Sequence, residues 1–270
     1  MIDIYVIMAE MVYAKRLQTK FSTIPWYAGG KDDRTILYYM RKWVKQFLYW
    51  LSIDYSKFDQ SISDWLIRDA FDVVRAAYEN DANFDEELFK IVREDFINKV
   101  LVLGWKDEDI YESEKGVPSG SMFTQLIDSI VNKLMIKTYM YSIGCTEFEM
   151  MIMGDDNIIF TNIEIDTVHL STYLAKNFGI EMHPLKCKQG TCADSDPEFL
   201  SRTWKFQGVY RKPELLLAKL CYPERYRDYK SNPDMHPGLI VECFRLSFPL
   251  GMTFISNDVE FTLTDIKQSI

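Results

Sequence analysis

Two apolar runs, FEMMIM (148–153) and NIIF (157–160), flank the tripeptide GDD and predict a hairpin closed by a tight acidic turn. Upstream, TILYYMRKWVKQFLYW (35–50) reads as an aromatic-rich helix that runs into a short apolar strand, LSID, stopping at Asp54. In SDWLIRDAFDVVRAAYEN (63–80) apolar residues recur at three- and four-residue spacing after Ser63, which is placed to cap a helix. A second helix is expected at about 84–99, and VLVLG with EDIYESE reads as the two arms of a hairpin. The turn-rich loop GVPSGS precedes a helix from about Met122 to Tyr141, residues 165–178 form another amphipathic helix, and EFLSRTWKF reads as a strand or hairpin. This order of elements predicts an α+β fold in which helices pack on one face of a sheet.

Composition adds bounds to that pattern. With 270 residues, 47% of them hydrophobic, the chain can bury a sizeable core as one large domain or two small ones. No apolar run reaches the roughly 18 residues of a membrane-spanning helix. The first residues, MIDIYVIMAEM, lack the basic flank of a signal peptide. The five cysteines have no metal-ligand spacing and read as free thiols, and His169, His183 and His236 read as structural. A formal net charge of −9 argues against a simple nucleic-acid binder, although total charge does not exclude a local basic channel around an acidic metal site.

The acidic positions carry the candidate chemistry. Asp155 and Asp156 sit at the tip of a hairpin whose apolar arms would hold it rigid, and adjacent carboxylates repel unless a cation lies between them. For GDD alone, a solvated turn remains the simpler account. Asp54, at the end of an apolar strand and five residues before Asp59, adds the oxygen donors that Mg²⁺ prefers. Thr124, Asp128 and Asn132 are four residues apart and share one helix face. Such a stripe is usually a solvent face, but its place behind the GVPSGS loop and between two acidic motifs favours ligand contact.

Three segments in this order resemble the palm motifs of viral RNA-dependent RNA polymerases: DYSKFD (54–59), GVPSGSMFTQLIDSIVN (116–132) and MIMGDDNIIF (151–160). The wording of the second is closest to partitivirus-like polymerases of double-stranded RNA viruses. The resemblance implies an antiparallel palm sheet at 46–204, with a fingers-like insertion at about 80–113. It implies a remnant of fingers at 1–45 and the start of a helical thumb at 205–270, so the chain is expected to be a piece of a longer polymerase.

The resemblance also implies roles. Asp54 and Asp155, with Asp156 in support, would hold two Mg²⁺ ions, for which Mn²⁺ can substitute. Asp59 would sense the ribose 2′-OH of the incoming nucleotide, helped by Ser119, Gly120 and Thr124. The position nine residues after Ser119 is Asn in many positive-strand virus polymerases but Asp128 here, so either Asp128 or Asn132 would meet the ribose. NFGIEMHPLKCKQG resembles a fourth motif, with Lys186, or else Lys188, as proton donor to the leaving group. FLSRTW resembles a fifth, with Arg202 at the nascent strand or nucleotide. The implied partners are template and nascent RNA, ribonucleoside triphosphates and a viral capsid protein, with no membrane, in the virion or host cytoplasm. A reverse transcriptase usually has a bulky residue where Asp59 stands and lacks the serine–glycine loop. The other alternative is an inactive palm that serves as an RNA-binding or assembly module.

Overall fold

The computed structural model describes residues 4–102, 110–113, 115–211, 254–256 and 259–261. The chain opens with helices α1 (Ile4–Ser22) and α2 (Asp33–Val44), strand β1 (Tyr49–Ile53), the short α3 (Phe58–Ser61) and helices α4 (Asp64–Ala76) and α5 (Glu86–Ile97). A hairpin of β2 (Lys99–Val102) and β3 (Ile110–Ser113) follows, then α6 (Thr124–Ser142), β4 (Phe148–Met153), β5 (Asp156–Thr161) and α7 (Thr167–Phe178). Short strands β6 (Lys188–Thr191), β7 (Glu198–Phe199), β8 (Arg202–Trp204) and β9 (Val209–Tyr210) come next, and β10 (Phe254–Ser256) pairs with β11 (Val259–Phe261).

The central sheet has the order β4-β5-β1-β6, and every pair in it is antiparallel. Alternation along its strands divides their side chains between two cores. Leu51, Ile53, Met150, Ile152 and Ile159 belong to the larger core, which they share with α1, α4, α5, α6 and α7. Trp50, Met151, Ile158 and Phe160 face a smaller core built with α2 and the β7-β8-β9 sheet. The helical layer expected on one face is present, and the opposite face is covered as well.

Local chemistry explains three of the helix starts. Asp32 accepts a hydrogen bond from the Thr35 N–H at 2.8 Å, Asp85 from Leu88 at 3.0 Å and Asp166 from Val168 at 2.8 Å, capping α2, α5 and α7. Ser63 does occupy the cap position of α4, but its side chain makes no capping bond and its Oγ is buried without a partner. That helix is set instead by its buried stripe of Leu66, Ile67, Ala70, Phe71 and Val74.

Some boundaries moved. The helix expected to reach residue 50 ends at Val44, because Tyr49 and Trp50 pair with Thr161 and Phe160 in the sheet. Helix α1 is not among the expected elements, although Tyr13, Ala14, Leu17 and Phe21 are helically spaced, and the pattern gave no sign of β6, whose KQGT has no alternation and depends on β1 for its pairing. Between β7 and β8, Leu200 and Ser201 both have φ of 55°, the left-handed geometry that a two-residue hairpin turn requires. The thumb expected from 205 onward lies largely outside the described residues.

Phe71 is fully buried and its ring meets Phe89, Phe96 and Phe123 at centroid distances of 6.0, 5.2 and 5.4 Å. It thereby joins α4, α5 and the start of α6. Phe71→Ala is expected to cost about 3–5 kcal/mol of stability through lost burial and the cavity left behind. Equilibrium urea unfolding checks this, and a loss under about 1 kcal/mol would mean that the three helices do not share this core.

Candidate active site

The acidic turn is two residues long. Met153 pairs with Asp156, which leaves Gly154 and Asp155 at the tip, and Gly154 has a φ of 66° that a side chain would strain. In the neighbouring strand Ile53 pairs with Asn157, so Asp54, one residue on, comes alongside Asp156. Asp54, Asp155 and Asp156 all reach solvent at this end of the sheet. Their closeness is visible in Asp156. Crowding by protein atoms, then the charges of Asp155 and Asp54, push its carboxyl up to about 6, while Lys188 opposes the shift.

Helix α6 holds the turn from below. The Ser129 hydroxyl accepts the Gly154 N–H at 2.8 Å, and the Asn132 amide donates to the carbonyls of Gly154 and Asp155 at 3.0 and 3.1 Å. The Asn132 carbonyl oxygen in turn accepts from the Tyr55 hydroxyl at 2.9 Å and from the Asn157 amide at 3.0 Å. Asn132 is fully buried and both ends of its amide are occupied by the protein. The expectation that it could meet a ribose is therefore replaced by a positioning role, which leaves Asp128 facing the site.

Asp128 is 3% exposed, and its Oδ1 has no hydrogen-bond partner. Burial, then the charges of Asp59 and Asp155, push its carboxyl up to about 8. Asp59 is itself raised, by burial first and Asp155 second. The structure thus gathers Asp59, Asp128 and Asp155 into one electrostatic cluster, with Asp156 joined to it through Asp155 and Asp54 through Asp156.

The GVPSGS loop is tied to the Asp59 turn. The Gly116 N–H donates to the Ile62 carbonyl and the Val117 N–H to the Asp59 carbonyl, both at 2.7 Å. A Cβ at Gly116 would come within 2.9 Å of the Asp59 carbonyl oxygen, so the approach requires glycine. Ser119 and Gly120 are exposed at the crest. Thr124, expected beside the ribose, donates its hydroxyl to the Pro118 carbonyl at 2.7 Å and so braces the loop.

The remaining expected residues lie further out. Lys186 is exposed, on a turn whose His183 N–H donates to the Asp54 carbonyl at 2.9 Å. Lys188 stands opposite Ser52 on β6 and forms an ion pair with Glu198. Arg202 is not displayed toward the carboxylates. It pairs with Asp33 of α2 at 2.5 Å in a largely buried contact.

Sequence reading missed Glu10, Tyr55, Ser129 and Asn157. Asn157 did carry a signal, being the single polar residue at the head of the apolar NIIF run. Glu10 carried one also, since it occupies the first position of the apolar stripe of α1. Ser129 and Tyr55 had none.

The site consists of hard oxygen donors whose mutual repulsion a divalent cation would relieve, which fits Mg²⁺. Among the described residues no group of three or more His, Cys, Asp or Glu side chains converges closely enough to hold a metal by itself. Mg²⁺ commonly binds through one or two carboxylates with water and substrate phosphates completing its shell, so two converging aspartates suffice.

Residues 6–220 match the model of the viral RNA-dependent RNA polymerase family. The chain belongs to that family. The RNA-directed RNA polymerase of Cryptosporidium parvum virus 1 is 32% identical over 144 residues, covering 52% of this chain and 25% of that protein. The RNA-directed RNA polymerase of Atkinsonella hypoxylon virus is 33% identical over 121 residues, covering 41% of this chain and 18% of that protein. The crystal structure of the RNA-dependent RNA polymerase of a human picorbirnavirus matches with a TM-score of 0.76 at 16% identity, over 92% of this chain and 48% of that one. This polymerase-family chain therefore has their α+β palm fold and spans a quarter or less of these two curated relatives.

The Asp128 environment gives a measurable pH signature. The folded chain keeps this proton between the usual carboxylate range near 4 and about 8. Its favourable contribution is present in full below that range and is lost as pH rises through the window. Asp128→Asn cannot ionise, so in metal-free buffer the variant should gain on wild type by on the order of 1–3 kcal/mol between about pH 5 and pH 8. Urea titrations at both pH values check this, and a constant difference would show that Asp128 titrates normally.

Proposed function

We propose that this chain supplies the palm of an enzyme that copies RNA from an RNA template in the replication and transcription of a viral genome. The reaction joins a ribonucleoside monophosphate to an RNA 3′-OH and releases pyrophosphate. The observation that carries this reading is the meeting of Asp54, Asp155 and Asp156 at one end of the sheet in a chain of this family. In this reading residues 46–204 are the palm, 1–45 belong to the fingers side and the thumb begins near 205. The partners are template and nascent RNA, ribonucleoside triphosphates and, at the level of the particle, a capsid protein, in the virion or host cytoplasm. A double-stranded RNA virus is the source that best fits the two RNA-directed RNA polymerases matched.

Asp54 and Asp155 would hold the divalent ions, with Asp156 as the secondary ligand. Two Mg²⁺ ions so held would activate the 3′-OH and offset the charge of the triphosphate. The protein's own contribution is positional. A turn fixed by Ser129 and Asn132 presents Asp155 without reorganisation as the reaction proceeds. Asp59 and Asp128 face one another's charge beside that turn and recognise the ribose 2′-OH, which both donates and accepts. With its Oδ1 unpartnered, a protonated Asp128 supplies the donor that an Asn amide supplies in other relatives. Ser119 and Gly120, on the exposed crest, line the ribose side. Lys186 donates the proton to the leaving pyrophosphate, while Lys188, committed to Glu198, tempers Asp156. Arg202 orders the β7–β8 hairpin that grips the nascent strand through its pairing with Asp33.

Two measurements test this on a primed RNA template with the full polymerase carrying this chain. Asp155→Ala or Asp54→Ala should lower Mg²⁺-dependent incorporation at least about a hundredfold, and wild-type-like synthesis by either would refute the site. Asp59→Ala should reduce the preference for ribo- over deoxyribonucleotides roughly tenfold while incorporation continues. Unchanged discrimination would remove Asp59 from sugar selection.

A further inference from the structure

A second carboxylate lies outside the acidic cluster, on the N-terminal helix. Glu10 is 2% exposed, on the stripe of α1 that otherwise buries Tyr13, Ala14, Leu17 and Phe21. Such a position normally takes an apolar side chain, because a buried carboxylate costs free energy unless its lone pairs are satisfied. Here both oxygens are used, across more than a hundred residues of sequence. The Ser121 hydroxyl donates to Oε1 at 2.6 Å and the Met122 N–H donates to Oε2 at 2.8 Å. Ser121 Oγ also accepts the Phe123 N–H at 3.1 Å.

These donors lie just before the first turn of α6. A carboxylate there satisfies the Met122 N–H directly, orients the Ser121 hydroxyl that takes the Phe123 N–H, and meets the positive end of the helix dipole. Glu10 therefore does from another helix what a capping side chain usually does from within the same one. The loop it grips is already held at its other end, where Gly116 and Val117 donate to the Ile62 and Asp59 carbonyls. Between these anchors only the crest, Pro118 to Gly120, is unheld by α1 or α3, and Ser119 and Gly120 are exposed there.

We propose that Glu10 is a positioning residue for sugar selection: by latching Ser121 and Met122 it sets the height and angle of the Ser119–Gly120 crest over the ribose site. This rests on the polymerase reading given above. Glu10 touches no substrate; it acts through the loop. With the latch removed, the crest moves while the carboxylates, fixed by α6 and the sheet, keep their places. The effect then falls on nucleotide binding and sugar discrimination rather than on the chemical step.

The test compares Glu10→Ala, Glu10→Gln and Ser121→Ala by two readouts. Hydrogen exchange on this chain should show faster exchange at residues 119–123 in each variant, with exchange in the interior of α6 little changed at a temperature well below each variant's melting point. In the full polymerase the apparent KM for ribonucleotides should rise roughly tenfold and ribo-over-deoxy preference should fall, at near-constant kcat. Glu10→Ala combined with Ser121→Ala should fall short of the sum of the two single effects, since both remove the Glu10–Ser121 contact, and the remainder is the Phe123 N–H bond that only Ser121→Ala loses. Unchanged exchange at 119–123 overturns the latch, and faster exchange with unchanged KM and discrimination overturns its role in selection. If Glu10→Ala does not fold, Glu10→Gln and Ser121→Ala decide both points. A wild-type enzyme without nucleotidyl transfer would sink the polymerase reading, and the exchange data would still decide whether Glu10 holds the loop.

Discussion

The Asn132 amide is the contact on which the rest of the site depends. Its two ends join the Gly154–Asp155 turn to Tyr55 and Asn157, so one buried side chain connects α6, the hairpin tip and the segment that follows β1. A polar group at 0% exposure is tolerable only when every partner is present, because an unpaired amide in a low-dielectric interior carries its full desolvation cost. The same condition makes the network specific. A different placement of the turn would leave several of these groups unpaired together, so the geometry of Asp155 is set by atoms far less exposed than Asp155 itself.

That rigidity answers a problem created by the chemistry. Burial and the charges of neighbouring aspartates raise the proton affinity of Asp59, Asp128 and Asp156, and like charges brought this close drive a structure apart. The fold resists by fixing backbone rather than by neutralising charge. β1 and β5 are paired up to Ile53 and Asn157, Ser129 and Asn132 hold the turn, Gly116 has no room for a side chain against Asp59, and Gly154 takes a positive φ that a side chain would strain. Cations are kept to the periphery, with Lys188 paired to Glu198 and Arg202 to Asp33. The result is a concentrated negative field at one end of the sheet, suited to divalent ions and the phosphates they carry.

The second motif is built on a different principle. Its crest is exposed and its support comes from the two ends, where Asp59 and Ile62 hold the beginning and Glu10 the end. A loop gripped in this way can adjust at Ser119 and Gly120 without disturbing the carboxylates below. In the proposed reading, sugar recognition and metal holding would thus rest on neighbouring elements with separate supports.

The sequence alone was enough for the hairpin around GDD, the strand ending at Asp54, the helices α4 to α7 and the ordered motifs that mark the family, because these depend on local periodicity and turn chemistry. It also placed Thr124, Asp128 and Asn132 on one helix face. It could not say which way that face pointed, and the outcome was three different fates: a loop brace, an acid with Oδ1 unpartnered and a fully committed amide. Nor could it foresee that Arg202 is drawn into an ion pair with Asp33, that Trp50 belongs to a strand, or that Glu10 reaches Ser121. Those outcomes are contacts between residues up to 169 positions apart. A local pattern has no access to them, since only the packed sheet and helices decide which polar groups meet and which must be satisfied.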